Sequence, residues 1–157
     1  MKEMILTRGA VAIVDDEDYE KLKAHKWSAS ATGYAVRGFR RNGKIIMVKM
    51  HREILGEQCA GFEVDHINGN RLDNRRENLR IATRSQNASN RPKYYSSGLS
   101  KYKGVRKVKG RSKWSARIFV DGKEIHLGQY ETEEEAAMAY NKAAIQYHGQ
   151  FAKLNTF

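Results

Sequence analysis

A break near the middle constrains this chain more than any other feature. The only proline, Pro92, stands in NRPKYYSSGLSKYKG, a polar run with Gly and Ser that follows neither the helical nor the strand period. Reading residues 91–99 as a linker divides the 157 residues into a module of 1–90 and a second of 100–157. The alternative is one domain with a long loop, but structureless loops above ~12 residues are uncommon. The single cysteine, Cys59, excludes an internal disulfide framework and a cysteine-based zinc cluster. No apolar run approaches the ~18 residues of a membrane span. The N-terminus meets Asp15 and Asp16 too soon for a secretory signal, so no membrane partner and a cytoplasmic location are expected.

Charge narrows the partner. Residues 1–92 carry 17 basic and 12 acidic side chains, and residues 93–157 carry 12 and 6, for a formal net charge of +11. Such an excess attracts polyanions, nucleic acid first.

In the first module Asp15 or Asp16 can cap a helix over about 17–24, with Tyr19 and Leu22 on one face. YAVRGFR and KIIMVKM flank Arg41-Asn42-Gly43, a hairpin signal because Asn-Gly tolerates φ > 0. His51–Leu55 reads as a short helix stopped by Gly56, and a helical His among apolar residues is expected to be packed and hydrogen-bonded. FEVDHI reads as a strand that ends on Asp65 and His66. A polar loop, a second strand LRIA, and Thr83-x-x-Gln86 with capping-box spacing follow. Asn87 then lies one turn into the resulting helix. One carboxylate and one amide oxygen suit a hard cation such as Mg²⁺, which takes few protein ligands and fills the rest with phosphate and water. A neutral imidazole beside them can accept a proton from water. Arg71, Arg75, Arg76, Arg80 and Arg84 are either a solvated face or phosphate contacts.

Residues 62–91, with DHINGN, RRENLR and SQN, resemble the HNH endonuclease motif. The resemblance implies two antiparallel strands and a helix (the ββα-metal core) gripping one divalent metal. By position Asp65 would be a metal ligand, His66 the general base and Asn78 the central Asn that ties the loop together. Asn87 would be the second metal ligand. The last position is often His in the family, so the chain is an HNN variant, a kind also found in phage homing endonucleases. Arg75, Arg76 and Arg84 would contact DNA. His51 recurs in similar homing endonucleases as part of the same module. Magnesium is the metal implied, with manganese an alternative.

From Lys101 to Arg117 there are eight basic residues and no acidic one, interleaved with Tyr102, Val105, Val108 and Trp114. SKYKGVRKV, KWSARIFVD and EIHLGQY read as three strands, with Asp121-Gly122 as a hairpin turn. Thr132-x-x-Glu135 opens a helix that Gly149 ends. YKGVR, KWSARI, LGQYETEEEAAMAY and GQFAKLN resemble the Apetala-two/ethylene-response-factor domain of plant transcription factors. That family lays a three-stranded sheet, backed by one helix, in the DNA major groove. Arg106, Lys113, Trp114 and Arg117 are the implied contacts, though plant members typically carry Glu where Arg117 stands.

The expected chain is therefore an α+β protein of two modules. It hydrolyses phosphodiesters of double-stranded DNA with a divalent metal, in a bacterial or phage-infected cell. The oligomeric state is not set by the pattern, and a monomer is favoured. The alternative is a DNA-binding transcriptional regulator whose nuclease module is degenerate. An RNA-binding module is disfavoured, since the paired exposed aromatics of the common sheet platforms are missing.

Overall fold

Short antiparallel strands, closed by turns that need left-handed backbone, build both halves of the chain. The computed structural model describes residues 1–93 and 100–157, so most of the expected linker lies outside the described residues. Contacts group the chain into two units, Met1–Thr83 and Arg84–Phe157.

In the first unit β1 (Lys2–Ile5) and β2 (Val11–Val14) form a hairpin that the sequence reading did not anticipate. Its turn puts Arg8 and Gly9 at φ 72° and 81°. Helix α1 (Asp16–Lys23) follows, with Leu22 buried and Tyr19 packed beside it. Asp15 takes the N-cap position but makes no side-chain cap; its carboxylate instead accepts the Arg76 N–H at 2.7 Å. Strands β3 (Ser28–Ala29), β4 (Ala35–Arg41) and β5 (Lys44–Lys49) make the second sheet. Asn42 and Gly43 turn β4 into β5 at φ 51° and 74°, as the Asn-Gly pair predicts. Helix α2 (Met50–Leu55) ends at Gly56, φ 58°. β6 (Glu63–His66) and β7 (Leu79–Ala82) pair antiparallel around the long polar loop. Met4, Leu6, Val14, Leu22, Trp27, Met50, Ile54 and Val64 belong to the core.

The second unit opens with α3 (Arg84–Ser89), a six-residue helix with no buried side chain. The sequence reading draws the first module's end after this helix, and the grouping by contacts draws it before. The helix is tied within the second unit by polar groups. The Lys103 ammonium donates to the carbonyls of Ser89 and Arg91, the latter at 2.7 Å. Ser89 Oγ lies 3.3 Å from His148 Nδ1, and Ser85 Oγ donates to Asp121 Oδ1 at 3.4 Å. Strands β8 (Val105–Lys107), β9 (Trp114–Val120) and β10 (Lys123–Tyr130) form one antiparallel sheet with β9 central. Helix α4 (Glu133–His148) packs on it through Ala136, Ala137, Tyr140, Ala143 and Ala144. Its capping box is complete: Glu135 N–H donates to Thr132 Oγ1 (3.2 Å), and Thr132 N–H to Glu135 Oε2 (3.1 Å). Gly104 lets strand and helix meet, since a Cβ there would come within 2.0 Å of Tyr140 Cδ2. No helix of the described residues is long and apolar enough to cross a membrane.

Candidate functional site

The β6–β7 register sets the first element of the site. Asp65 faces Arg80 and His66 faces Leu79 across the two strands. Directly opposed residues share a sheet face, so Arg80 reaches the carboxylate, donating to Asp65 Oδ2 from Nη2 (2.6 Å) and Nε (2.8 Å). Both side chains are largely buried.

The loop between the strands is braced by its own amides and acids. Asn78 Oδ1 accepts the Asn68 N–H (3.0 Å) and its Nδ2 donates to the Asp73 carbonyl (2.8 Å). The Asp73 carboxylate accepts from Asn68 Nδ2 and from Arg75 Nε and Nη2, each at 2.8 Å. The Arg75 bond is the main reason that carboxyl is held below the usual carboxylate range. The N-terminal segment grips the loop from outside. Ile13 N–H donates to the Leu72 carbonyl (2.8 Å), and Asn74 N–H to the Ile13 carbonyl (2.7 Å). Arg76 Nη2 donates to Asp18 Oδ1 at 2.7 Å.

His66 sits in a small aromatic box. Its ring centroid is 5.0 Å from that of His51, edge to face, and 5.9 Å from that of Tyr34; Tyr34 and His51 are 5.3 Å apart. Burial pushes the His66 pKa down, while its polar surroundings, Asn74 and the Asp65 and Asp73 carboxylates, act the other way. Burial, reinforced by His66, Lys49 and Arg52, drives His51 to about 3. The two imidazoles are thus neutral near pH 7, the form that accepts a proton. His51 is packed, as expected, but its buried Nδ1 has no hydrogen-bond partner among the described residues.

The other expected site residues divide. Arg75 is engaged by Asp73 and Glu77, and Arg76 by Glu17 and Asp18, so both guanidinia brace the fold. Arg84 is exposed on α3, where Asn87 is half-buried. Along β8 and β9 the strand alternation puts Arg106 and Arg117 on the face away from α4, and Lys113 immediately precedes β9. Trp114 points to the opposite face, packed against the cluster of Tyr102, Val105, Ala116 and Ala137 with the Lys107 ammonium 4.5 Å above its ring. It is a partly buried residue at the edge of that core. Lys113 and Arg117 lie against Glu131 and Glu124. Tyr34, Asn74 and the Asp65–Arg80 pair were not singled out from sequence; they join the site across 15 or more residues, or through a loop conformation that no local signal sets.

Among the described residues no three of His, Cys, Asp and Glu converge as a metal cage. A carboxylate with one carboxamide fits a hard cation that keeps phosphate and water ligands, and does not fit a closed zinc site.

The HNH endonuclease family profile matches residues 52–89, and the AP2 domain profile matches 100–150. The first match includes α3. An uncharacterised HNH endonuclease of Acanthamoeba polyphaga mimivirus is 31% identical over 153 residues, 94% of this chain and 76% of that protein. Protein 3.8 of Escherichia phage T7 is 35% identical over 95 residues, 59% of this chain and 75% of that one. An AP2-like ethylene-responsive transcription factor of Arabidopsis thaliana is 48% identical over 63 residues, 39% of this chain and only 18% of that protein. A solved structure of the HNH homing endonuclease I-HmuI, described for DNA binding and cleavage, aligns at 24% identity with a TM-score of 0.39. It covers 79% of this chain and 75% of that one.

Proposed function

Because this chain belongs to the HNH endonuclease family and carries an AP2 domain, we propose that it is a metal-dependent endonuclease hydrolysing phosphodiester bonds of double-stranded DNA. In this reading it is a homing-type enzyme guided to its site by the C-terminal domain. The observation that carries the reading is His66: a buried, neutral imidazole adjacent to the Asp65 carboxylate, at the mouth of a loop braced by Asn78.

A ring nitrogen of His66 takes the proton of the attacking water. Asp65 and Asn87 would hold a divalent cation, Mg²⁺ or alternatively Mn²⁺. When bound, that ion supplies positive charge at the scissile phosphate and the departing 3′-oxygen. Asn78 keeps the loop, and so the end of β6, in one geometry. Arg106, Lys113 and Arg117 contact the duplex, and Arg84 adds a phosphate contact.

Incubating the purified chain with duplex DNA, with Mg²⁺ or with EDTA, and resolving products on native and denaturing gels tests this directly. His66→Ala should lower cleavage by ~10²–10⁴-fold and leave DNA binding intact; full activity in that variant overturns the assignment. The ion pair of Arg80 with Asp65 favours one competing reading, a regulator whose nuclease site is closed by its own arginine. Binding without cleavage in any divalent metal would decide for it.

A further inference from the structure

Cations around the braced loop and the β4–β5 sheet differ in their partners. Arg37, Arg75, Arg76 and Arg80 all sit on carboxylates. Lys49 and Arg71 do not: among the described residues neither forms an ion pair, yet both are held in place. Lys49 is the last residue of β5, and its ammonium lies 4.7 Å from the centroid of the Tyr34 ring. Arg71 comes from the braced loop; its guanidinium lies 4.8 Å from the same centroid, and its Nη1 donates to the Thr32 carbonyl at 2.6 Å. The electron-rich π-system of the ring attracts both cations, while their mutual repulsion opposes the arrangement. Two held positive charges without a carboxylate make a seat for an anion from outside.

The location says which anion. Tyr34 is the ring that packs against His51 and lies 5.9 Å from His66, so the seat adjoins the proposed general base. A phosphodiester offers two non-bridging oxygens, matched by a fork of guanidinium N–H groups and a compact ammonium. The same cations already act on the site electrostatically, Arg71 disfavouring protonation of His66 and Lys49 that of His51.

We propose that Lys49 and Arg71, seated on the Tyr34 ring, form a clamp for a DNA backbone phosphate beside His66. The proposal deepens the nuclease reading above and rests on it for the identity of the ligand.

The test uses the full chain, binding a random-sequence duplex in EDTA across a salt titration. Each phosphate contact removed should flatten the log-affinity against log-salt line by about 0.9. Arg71→Gln and Lys49→Gln should each show about that change, and the double variant about twice it. Lys21→Gln, which removes one charge from the exposed side of α1, should keep the parent slope. Arg71→Lys, which preserves the charge and guards against misfolding of the Gln variant, should keep it too. Parent-like slopes in both Arg71→Gln and Lys49→Gln would overturn the clamp, and Mg²⁺-dependent cutting by those variants would leave the nuclease reading standing. Flattened slopes in a chain that cuts no DNA with any metal would uphold the clamp and overturn the nuclease reading instead.

Discussion

Arg80 donates two hydrogen bonds, from Nε and Nη2, to one oxygen of the Asp65 carboxylate. The motif acid is thus compensated by a cation of its own neighbouring strand, in a largely buried pair. Removing one partner of such a pair leaves an uncompensated charge, at a cost of about 3–5 kcal/mol. Arg80→Met should therefore lower unfolding stability by about 3 kcal/mol in EDTA. Millimolar Mg²⁺ should return part of that loss, since a cation that binds only the folded state stabilises it by mass action. Urea titrations with and without Mg²⁺ measure both effects. A loss wholly insensitive to Mg²⁺ and Mn²⁺ would count against Asp65 as a metal ligand.

Gly104 has φ 76°, and a side chain there would meet Tyr140 and the Arg117 carbonyl. The Gly104 carbonyl also accepts the Arg117 N–H at 2.8 Å, so the backbone has little room to shift. Gly104→Ala combines left-handed strain of roughly 1–2 kcal/mol with overpacking of roughly 1–3 kcal/mol. The second unit should unfold at lower denaturant in this variant, followed by Trp114 fluorescence, with Trp27 in the first unit unaffected. A change below about 1 kcal/mol would refute the close contact.

Lys103 ties the end of α3, and burial together with Lys153 lowers its pKa to about 8. Below that value the folded state holds a desolvated ammonium. Between about pH 8 and the ordinary 10.5 the unfolded chain binds more protons than the folded one. Stability of the second unit should accordingly rise with pH through that window. Tyr140, pushed up to about 12 by burial, works in the opposite sense above pH 10. Lys103→Met should remove the rise and keep the later fall. Parallel thermal-unfolding profiles for parent and variant would show that Lys103 is not the titrating group.

Truncation after residue 92 tests which unit holds α3. Six residues are far fewer than the ~12–15 an isolated helix needs, and the groups that tie this one, Lys103, Asp121 and His148, are removed with the second unit. The fragment should keep the core around Leu22, Met50 and Ile54 while amides 84–89 exchange hydrogen at near-coil rates. Protection of those amides in the fragment, equal to that in the full chain, would mean that the first unit holds the helix by itself.

The parts of this protein that its sequence alone determined are those whose physics is complete within a few residues. Asn42-Gly43 and Asp121-Gly122 turn their hairpins because left-handed backbone is cheap there. Thr132 and Glu135 start α4 by satisfying each other's backbone donors. The spacing of Asp65, His66, Asn78 and Asn87 carries the family motif because strand, loop and helix lengths are local properties. Tertiary structure alone decided the pairings. Arg80 and Asp65 are 15 residues apart and Arg76 and Asp18 are 58 apart, and a count of charges says nothing of which guanidinium reaches which carboxylate. Tyr34, His51 and His66 meet only after β4, α2 and β6 are packed. Trp114 faces the helix because of a strand register that composition does not reveal. Hydrogen bonds of α3 have the same origin: those of Ser89 reach Lys103 and His148, 14 and 59 residues away in the chain.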